Sequence, residues 1–132
     1  MNSTISGLAG VAAAFLVMLP AHAQEGDAAA GKKVFNKCRA CHEAETEKNK
    51  VGPHLVGIVG RPAASVESFA SKYSDNLKEA AAAGLVWDEA KLAEYLRDPK
   101  AMIPKGKMAF PGLKEDADIA NVIAYLKADP KP

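Results

Sequence analysis

Cys38, Arg39, Ala40, Cys41 and His42 place the only two cysteines of the chain three positions apart, with a histidine directly after the second. That CxxCH spacing is the attachment signature of a c-type haem. Each thiol can add to one porphyrin vinyl group, and the adjacent histidine is then held beneath the iron as its proximal ligand. A chain anchored in this way must build its core around a large flat group. Two rival chemistries use the same residue types. A closed zinc site needs four ligands, yet outside the apparent leader the only further histidine is His54 and there is no second cysteine pair. A thioredoxin-like dithiol needs a βαβ pattern around its CxxC, and none surrounds residues 38–41.

The first residues predict a secretory leader. An apolar stretch from Val11 to Leu19 is followed by a helix-breaking Pro20, and then by Ala21, His22 and Ala23 as an AxA cleavage site before Gln24. The stretch before the apolar core carries no Lys or Arg, and the apolar run is shorter than the roughly 20 residues that span a bilayer. The expected division is therefore a signal peptide over 1–23 and one small domain over 24–132, exported to the periplasm. The leader holds no charged side chain, so the mature chain keeps the formal charge of +1, from 17 basic and 16 acidic residues. A balance so near neutral argues against nucleic acid as a partner.

The hydrophobic pattern is helical throughout and shows no internal repeat. A first helix is expected from about Asp27 to Cys41, with Gly31, Val34, Phe35 and Cys38 on one face. A last helix from about Glu115 to Lys127 carries Ile119, Val122, Ile123 and Leu126 at the same spacing. Between them, Ser74 can cap a helix that stops at Gly84, and a further helix from Asp88 to Arg97 ends before Pro99. The Gly- and Pro-rich stretch from Val51 to Pro62 offers no strand of full length. The expectation is all-α, with helices joined by loops that wrap a cofactor.

An iron bound by one histidine keeps an open position, and the candidates to fill it are Met108, Met102 and His54. Met108 sits in a loop, from Ile103 to Gly112, where Pro104, Gly106, Pro111 and Gly112 interrupt helical structure and let a thioether point inward. Met102 suits a core position, and His54 follows the haem motif closely enough to lie on its proximal side. Met108 is the preferred ligand. An open distal site, peroxidase-like or gas-binding, is the alternative if it does not bind.

Taken together, these motifs resemble the class I c-type cytochromes, in particular the short soluble bacterial ones similar to mitochondrial cytochrome c. The resemblance rests on Gly31-Lys32-Lys33-Val34-Phe35, the CxxCH run, Gly52-Pro53-His54-Leu55, Gly57 to Arg61, Tyr95-Leu96-Arg97-Asp98-Pro99, Ile103-Pro104 with Lys107-Met108-Ala109-Phe110, and Ala124-Tyr125-Leu126-Lys127, in that order. It implies the cytochrome c fold, in which N- and C-terminal helices cross and loops wrap one haem c held through Cys38 and Cys41. It also implies an electron carrier that is not an enzyme, with His42 and Met108 as iron ligands. Pro53 would accept a hydrogen bond from His42, Arg61, Tyr73 and Trp87 would serve a haem propionate, and Tyr95 would neighbour the Met108 sulfur. The Thr and Asn that mitochondrial members place near the propionate and the methionine fall here on Gly106 and Leu77.

By the same resemblance the protein is a monomer that docks transiently at membrane complexes. A cytochrome bc complex or a periplasmic dehydrogenase would be the donor, and a terminal oxidase or photosynthetic reaction centre the acceptor. Lys33, Lys37, Lys50, Lys100, Lys107 and Lys114 would ring the exposed haem edge and face acidic docking surfaces.

Overall fold

The computed structural model describes residue 10, residues 12–16 and residues 25–132, so most of the expected leader lies outside the described residues. Five α-helices follow in order: α1 (Ala28–Phe35), α2 (Asp75–Ala82), α3 (Glu89–Arg97), α4 (Pro99–Met102) and α5 (Asp116–Lys127). A 3-10 helix spans Glu67–Lys72, and two-residue strands β1 (Arg61–Pro62) and β2 (Val86–Trp87) pair antiparallel, Arg61 opposite Trp87. No described helix is long and apolar enough to cross a membrane.

The helix ends follow from their flanking residues. Asp27, Ser74 and Asp88 each accept the amide of the residue three positions on, which satisfies one of the free donors of a helical first turn. After α2, Gly84 takes a φ of +97°, the left-handed stop that a glycine reaches without penalty. Asp98 ends α3 and its Oδ1 also accepts the amide of Ala101, so one residue caps α4 as well. Pro99 closes the third helix as expected, but it then serves as the first residue of α4, a position where its missing amide hydrogen costs nothing.

The N-terminal helix is shorter than its periodicity predicts. It stops at Phe35, and the chain continues to residue 42 in tighter turns, with Cys38 N–H bonded to the Phe35 carbonyl at 2.8 Å and Cys41 N–H to the Cys38 carbonyl at 3.1 Å. The periodic pattern persists because these turns keep Cys38 on the face that Phe35 occupies.

α1 crosses α5 with Gly31 lying against the Asn121 carbonyl. A Cβ on Gly31 would overlap that carbonyl and the Tyr125 side chain, so only glycine lets the two backbones approach this closely. Phe35 and Tyr125 pack beside it with ring centroids 5.2 Å apart. Asn121 Oδ1 accepts the Asp27 amide at 2.8 Å and fastens the start of α1 to the same helix. Around this crossing, Leu92, Leu96, Leu113, Ile119, Val122 and Leu126 complete the main core. Val66, Phe69 and Tyr73 form a smaller cluster beneath the 3-10 helix. At the other end of the methionine loop, Gly112 has a φ of +108° and presses so closely on the Arg97 carbonyl that no side chain fits there.

Gly31→Ala should therefore separate α1 from α5 and destabilise the folded holoprotein by about 2 to 3 kcal/mol, the cost of forcing a methyl into packed backbone. Denaturant titration of the two proteins checks this.

Candidate functional site

The apolar faces of α1, α3 and α5 and the long loops enclose a cavity of about 620 Å³, lined mainly by apolar side chains. Its walls draw on segments far apart in sequence. Phe35, Val122 and Leu126 come from the crossing of the terminal helices. Cys38, Cys41 and His42 come from the tight turns after α1, and Met108 from the loop that follows α4. Neither cysteine forms a disulfide. Burial pushes the Cys38 thiol up from its ordinary pKa, so it stays a neutral SH.

The histidine of the motif is oriented by its backbone surroundings. His42 Nδ1 lies 2.8 Å from the carbonyl oxygen of Pro53, and since a carbonyl can only accept, the proton resides on Nδ1 and the lone pair on Nε2. Burial is the largest influence on this imidazole and lowers its pKa, with Arg61 and Lys50 acting in the same direction against the Pro53 bond. The ring is thus neutral and presents a free nitrogen, the form in which histidine binds a metal. Gly52 donates its N–H to the Cys41 carbonyl at 2.8 Å, and a Cβ there would run into the His42 ring. Glycine at that position lets the loop seat directly beneath the imidazole.

Tyr95 reaches the second sulfur site: its hydroxyl lies 3.7 Å from Met108 Sδ and is the donor of that pair. Its ring packs on Trp87 with centroids 4.9 Å apart, which fixes where the hydroxyl points. Burial raises the Tyr95 pKa above the ordinary phenol value. Arg61 is half-buried; its terminal nitrogens bond the carbonyls of His54 and Val56 at 3.1 Å, while its Nε is buried with no hydrogen-bond partner among the described residues. Tyr73 lines the cavity, but its hydroxyl accepts the Val66 amide at 3.1 Å and so also braces the smaller cluster.

All nine residues picked from the sequence are among those of this region: Cys38, Cys41, His42, Arg61, Tyr73, Trp87, Tyr95 and Met108 line the cavity, and Pro53 does so while holding His42. The competing ligands are not part of the lining. Met102 packs against the main core, and His54 faces a shallower neighbouring depression while its Nδ1 accepts the Val56 amide at 3.3 Å. Sequence reasoning missed Phe69, which lines the cavity from the 3-10 helix and packs edge-on against Tyr73. Its spacing of four from Tyr73 in an otherwise polar stretch is the signal that was present.

The donor set fits a haem rather than a lone metal. Among the described residues no group of three or more His, Cys, Asp or Glu side chains converges as a metal site would require. A broad apolar cavity bordered by two thiols, one oriented imidazole and one thioether suits an iron porphyrin. The unpartnered buried Nε of Arg61 is the kind of donor that a porphyrin carboxylate would satisfy.

Residues 28–128 match the family described as Cytochrome c. The chain is 51% identical over 114 residues to cytochrome c-554 of Methylosinus trichosporium, covering 86% of this chain and 83% of that one. Among solved structures it is similar to cytochrome cH from Methylobacterium extorquens, at 47% identity and a TM-score of 0.66 over 77% of this chain and 98% of that one. It is also similar to cytochrome c2 from Rhodospirillum centenum, at 37% identity and a TM-score of 0.71 over 77% and 97% of the two chains.

Because the folded-state pKa of Tyr95 is raised, the unfolded chain releases this proton first, so the folded state loses stability as pH rises through the unfolded value near 10.0. Tyr95→Phe removes that component of the slope. Between about pH 9 and about pH 11 the native denaturation midpoint should fall relative to that of Tyr95→Phe as pH rises.

Proposed function

This chain belongs to the cytochrome c family, a family of electron-transfer proteins that bind haem c covalently and are not enzymes, and from that membership we propose that it is a periplasmic one-electron carrier with His42 and Met108 as iron ligands. When bound, haem c supplies a ferric–ferrous couple that moves one electron and transfers no atom. The observation that carries this reading is the meeting of the CxxCH segment and Met108 at one apolar cavity, although 66 positions separate His42 from Met108 (108 minus 42).

Each residue then has a physical task. Cys38 and Cys41 provide the thiols for the two thioether bonds. His42 offers Nε2 because Pro53 holds the proton on Nδ1, and that bond makes the imidazole a stronger donor. Met108 would contribute a soft thioether, a donor that would favour the ferrous state of the bound group and raise its potential. The Tyr95 hydroxyl orients that sulfur by donating to it. Arg61, Tyr73 and Trp87 serve a propionate, with the buried Arg61 Nε as a charged donor. With His42 and Met108 both holding the iron, the site would leave no place for peroxide or oxygen, and the same residues would hold the group in both redox states.

Residues 1–23 act as a cleaved leader, and residues 24–132 form the exported domain. The carrier works as a monomer between a donor, a cytochrome bc complex or periplasmic dehydrogenase, and an acceptor, a terminal oxidase or photosynthetic reaction centre. Lys37 and Lys107 border the cavity and, with Lys33, Lys50, Lys100 and Lys114, give the docking face its positive charge. Encounter is steered by that charge and relaxes with salt.

Met108→Ala should retain covalent haem by mass spectrometry while losing the thioether-to-ferric-iron absorption band in the red. Its potential should fall by about 0.2 V, within the roughly 0.8 V range that axial ligands govern. A native protein that lacks the band and binds carbon monoxide freely would sink the carrier reading in favour of an open distal site. The leader is checked separately: exported protein should begin at Gln24. Reduction by an acidic partner complex should slow several-fold between about 0.01 M and about 0.15 M salt, as the screening length shortens from about 30 Å to about 8 Å.

A further inference from the structure

Among the described residues, four glycines and one alanine adopt a left-handed backbone. Gly57, Gly60, Gly84 and Gly112 have φ between +66° and +108°, and none of them lines the cavity. The exception is Ala64, at a φ of +53°, and it does line the cavity. A side chain in this region brings Cβ too close to the following carbonyl, a clash that glycine avoids. Gly57, Gly60 and Gly84 have open space where a methyl would go, yet glycine stands at all three. The chain thus tolerates a left-handed side chain at one described position, and that position is in the cavity wall.

Both flanks of Ala64 are fixed. Before it, Ala63 N–H donates to the Leu85 carbonyl at 2.9 Å, beside the pairing of β1 with β2. After it, Ser65 Oγ donates to the Pro62 carbonyl at 2.6 Å, and Val66 N–H to the Tyr73 hydroxyl oxygen at 3.1 Å. Residue 64 has to turn the chain between these anchors. Its side chain packs against the small cluster of Val66, Phe69 and Tyr73. Arg61, three positions earlier, and Phe69 and Tyr73, further on, line the same cavity, and Arg61 keeps its Nε buried without a partner. This stretch of wall therefore carries a charged donor and two aromatic rings, with Ala64 between them in the chain.

We propose that Ala64 is a positioning residue for the acidic edge of the bound group: its methyl closes the wall between Arg61 and the Phe69–Tyr73 pair and keeps water from the Arg61 Nε–H. The proposal rests on the reading of Arg61 as a donor to a porphyrin carboxylate. Water competes for both partners of a charged hydrogen bond, so excluding it strengthens the bond. Glycine would make the same turn without strain and would leave a gap one methyl wide. Strain of this kind persists where the surrounding structure over-determines it, and it gathers at ligand sites.

The test follows the Arg61 Nε–H resonance of isotope-labelled ferrous holoprotein by NMR. In the native protein this proton should exchange slowly with solvent. Ala64→Gly should raise its exchange rate about tenfold, while the Ala63 and Val66 amides keep their native rates. The unfolding midpoint of that variant should stay close to the native one, because relief of strain offsets the freedom that the unfolded chain gains. Ala64→Ser, which restores a Cβ, should return the Nε–H rate to within about threefold of native. Ala70→Gly removes an exposed methyl from the 3-10 helix, outside the cavity lining, and should leave the rate unchanged. If Ala64→Gly exchanges no faster than native, if Ala64→Ser fails to restore the rate, or if Ala70→Gly matches Ala64→Gly, the seal is refuted. Faster exchange of the Ala63 and Val66 amides in step with Nε–H would also refute it, since loosening of the turn would then account for the gain. A native Nε–H that already exchanges freely would instead refute Arg61 as a carboxylate donor, and the seal with it.

Discussion

The close approach of α1 and α5 at Gly31 is the contact on which the other features depend. It fixes where α1 ends relative to Val122 and Leu126, and so sets where the turns bearing Cys38, Cys41 and His42 emerge over the cavity. The contact has both steric and polar parts. Glycine removes the methyl that would hold the helices apart, Phe35 and Tyr125 fill the space beside it, and Asn121 holds the Asp27 amide. From this fixed crossing the remaining helices need only close the walls. The two-residue pairing of β1 with β2 brings Trp87 opposite Arg61, so two cavity residues from separate loops are set against each other by backbone hydrogen bonds.

Polarity inside the cavity is confined to a few positions, and each has a definite bonding state. His42 gives its one N–H to a carbonyl and keeps a lone pair. Tyr95 spends its proton on a sulfur, a weak acceptor, at the edge of an otherwise apolar stack with Trp87. Arg61 satisfies its outer nitrogens on the loop of His54 and Val56 and keeps Nε buried. A buried guanidinium with an unfilled donor is costly in isolation, and a carboxylate partner would offset that cost. The cavity is thus shaped for a group that is apolar across its breadth, with an acid at one edge and a Lewis-acidic centre.

Much of this was legible in the sequence, for identifiable reasons. The crossing helices declared themselves through spacings of three and four, and α5 keeps Ile119, Val122, Ile123 and Leu126 buried as that spacing requires. The CxxCH run and the Pro- and Gly-interrupted loop around Met108 marked two of the segments that line the cavity because both patterns are local. Elements made by tertiary context were not legible. The 3-10 helix Glu67–Lys72 has only Phe69 buried, too little for a periodicity. β1 and β2 are too short to alternate. α4 hid behind Pro99, which reads as a stop in the preceding helix and acts as a start in the next. The N-terminal helix was overextended because a change from α-helical to tighter turns leaves the apolar side chains on nearly the same face.

Gly112 gives the methionine loop a property beyond its local turn. With its backbone wedged against the end of α3 and Ile103 hydrogen-bonded to the first residue of α4, the ten residues from 103 to 112 run between two immovable posts. A span of fixed length cannot absorb an extra residue by sliding; an insertion would have to bulge into solvent, and a deletion would draw the thioether off its mark. The length of this stretch thereby sets the depth of the sulfur in the pocket, while the side chains beside it can change without moving it.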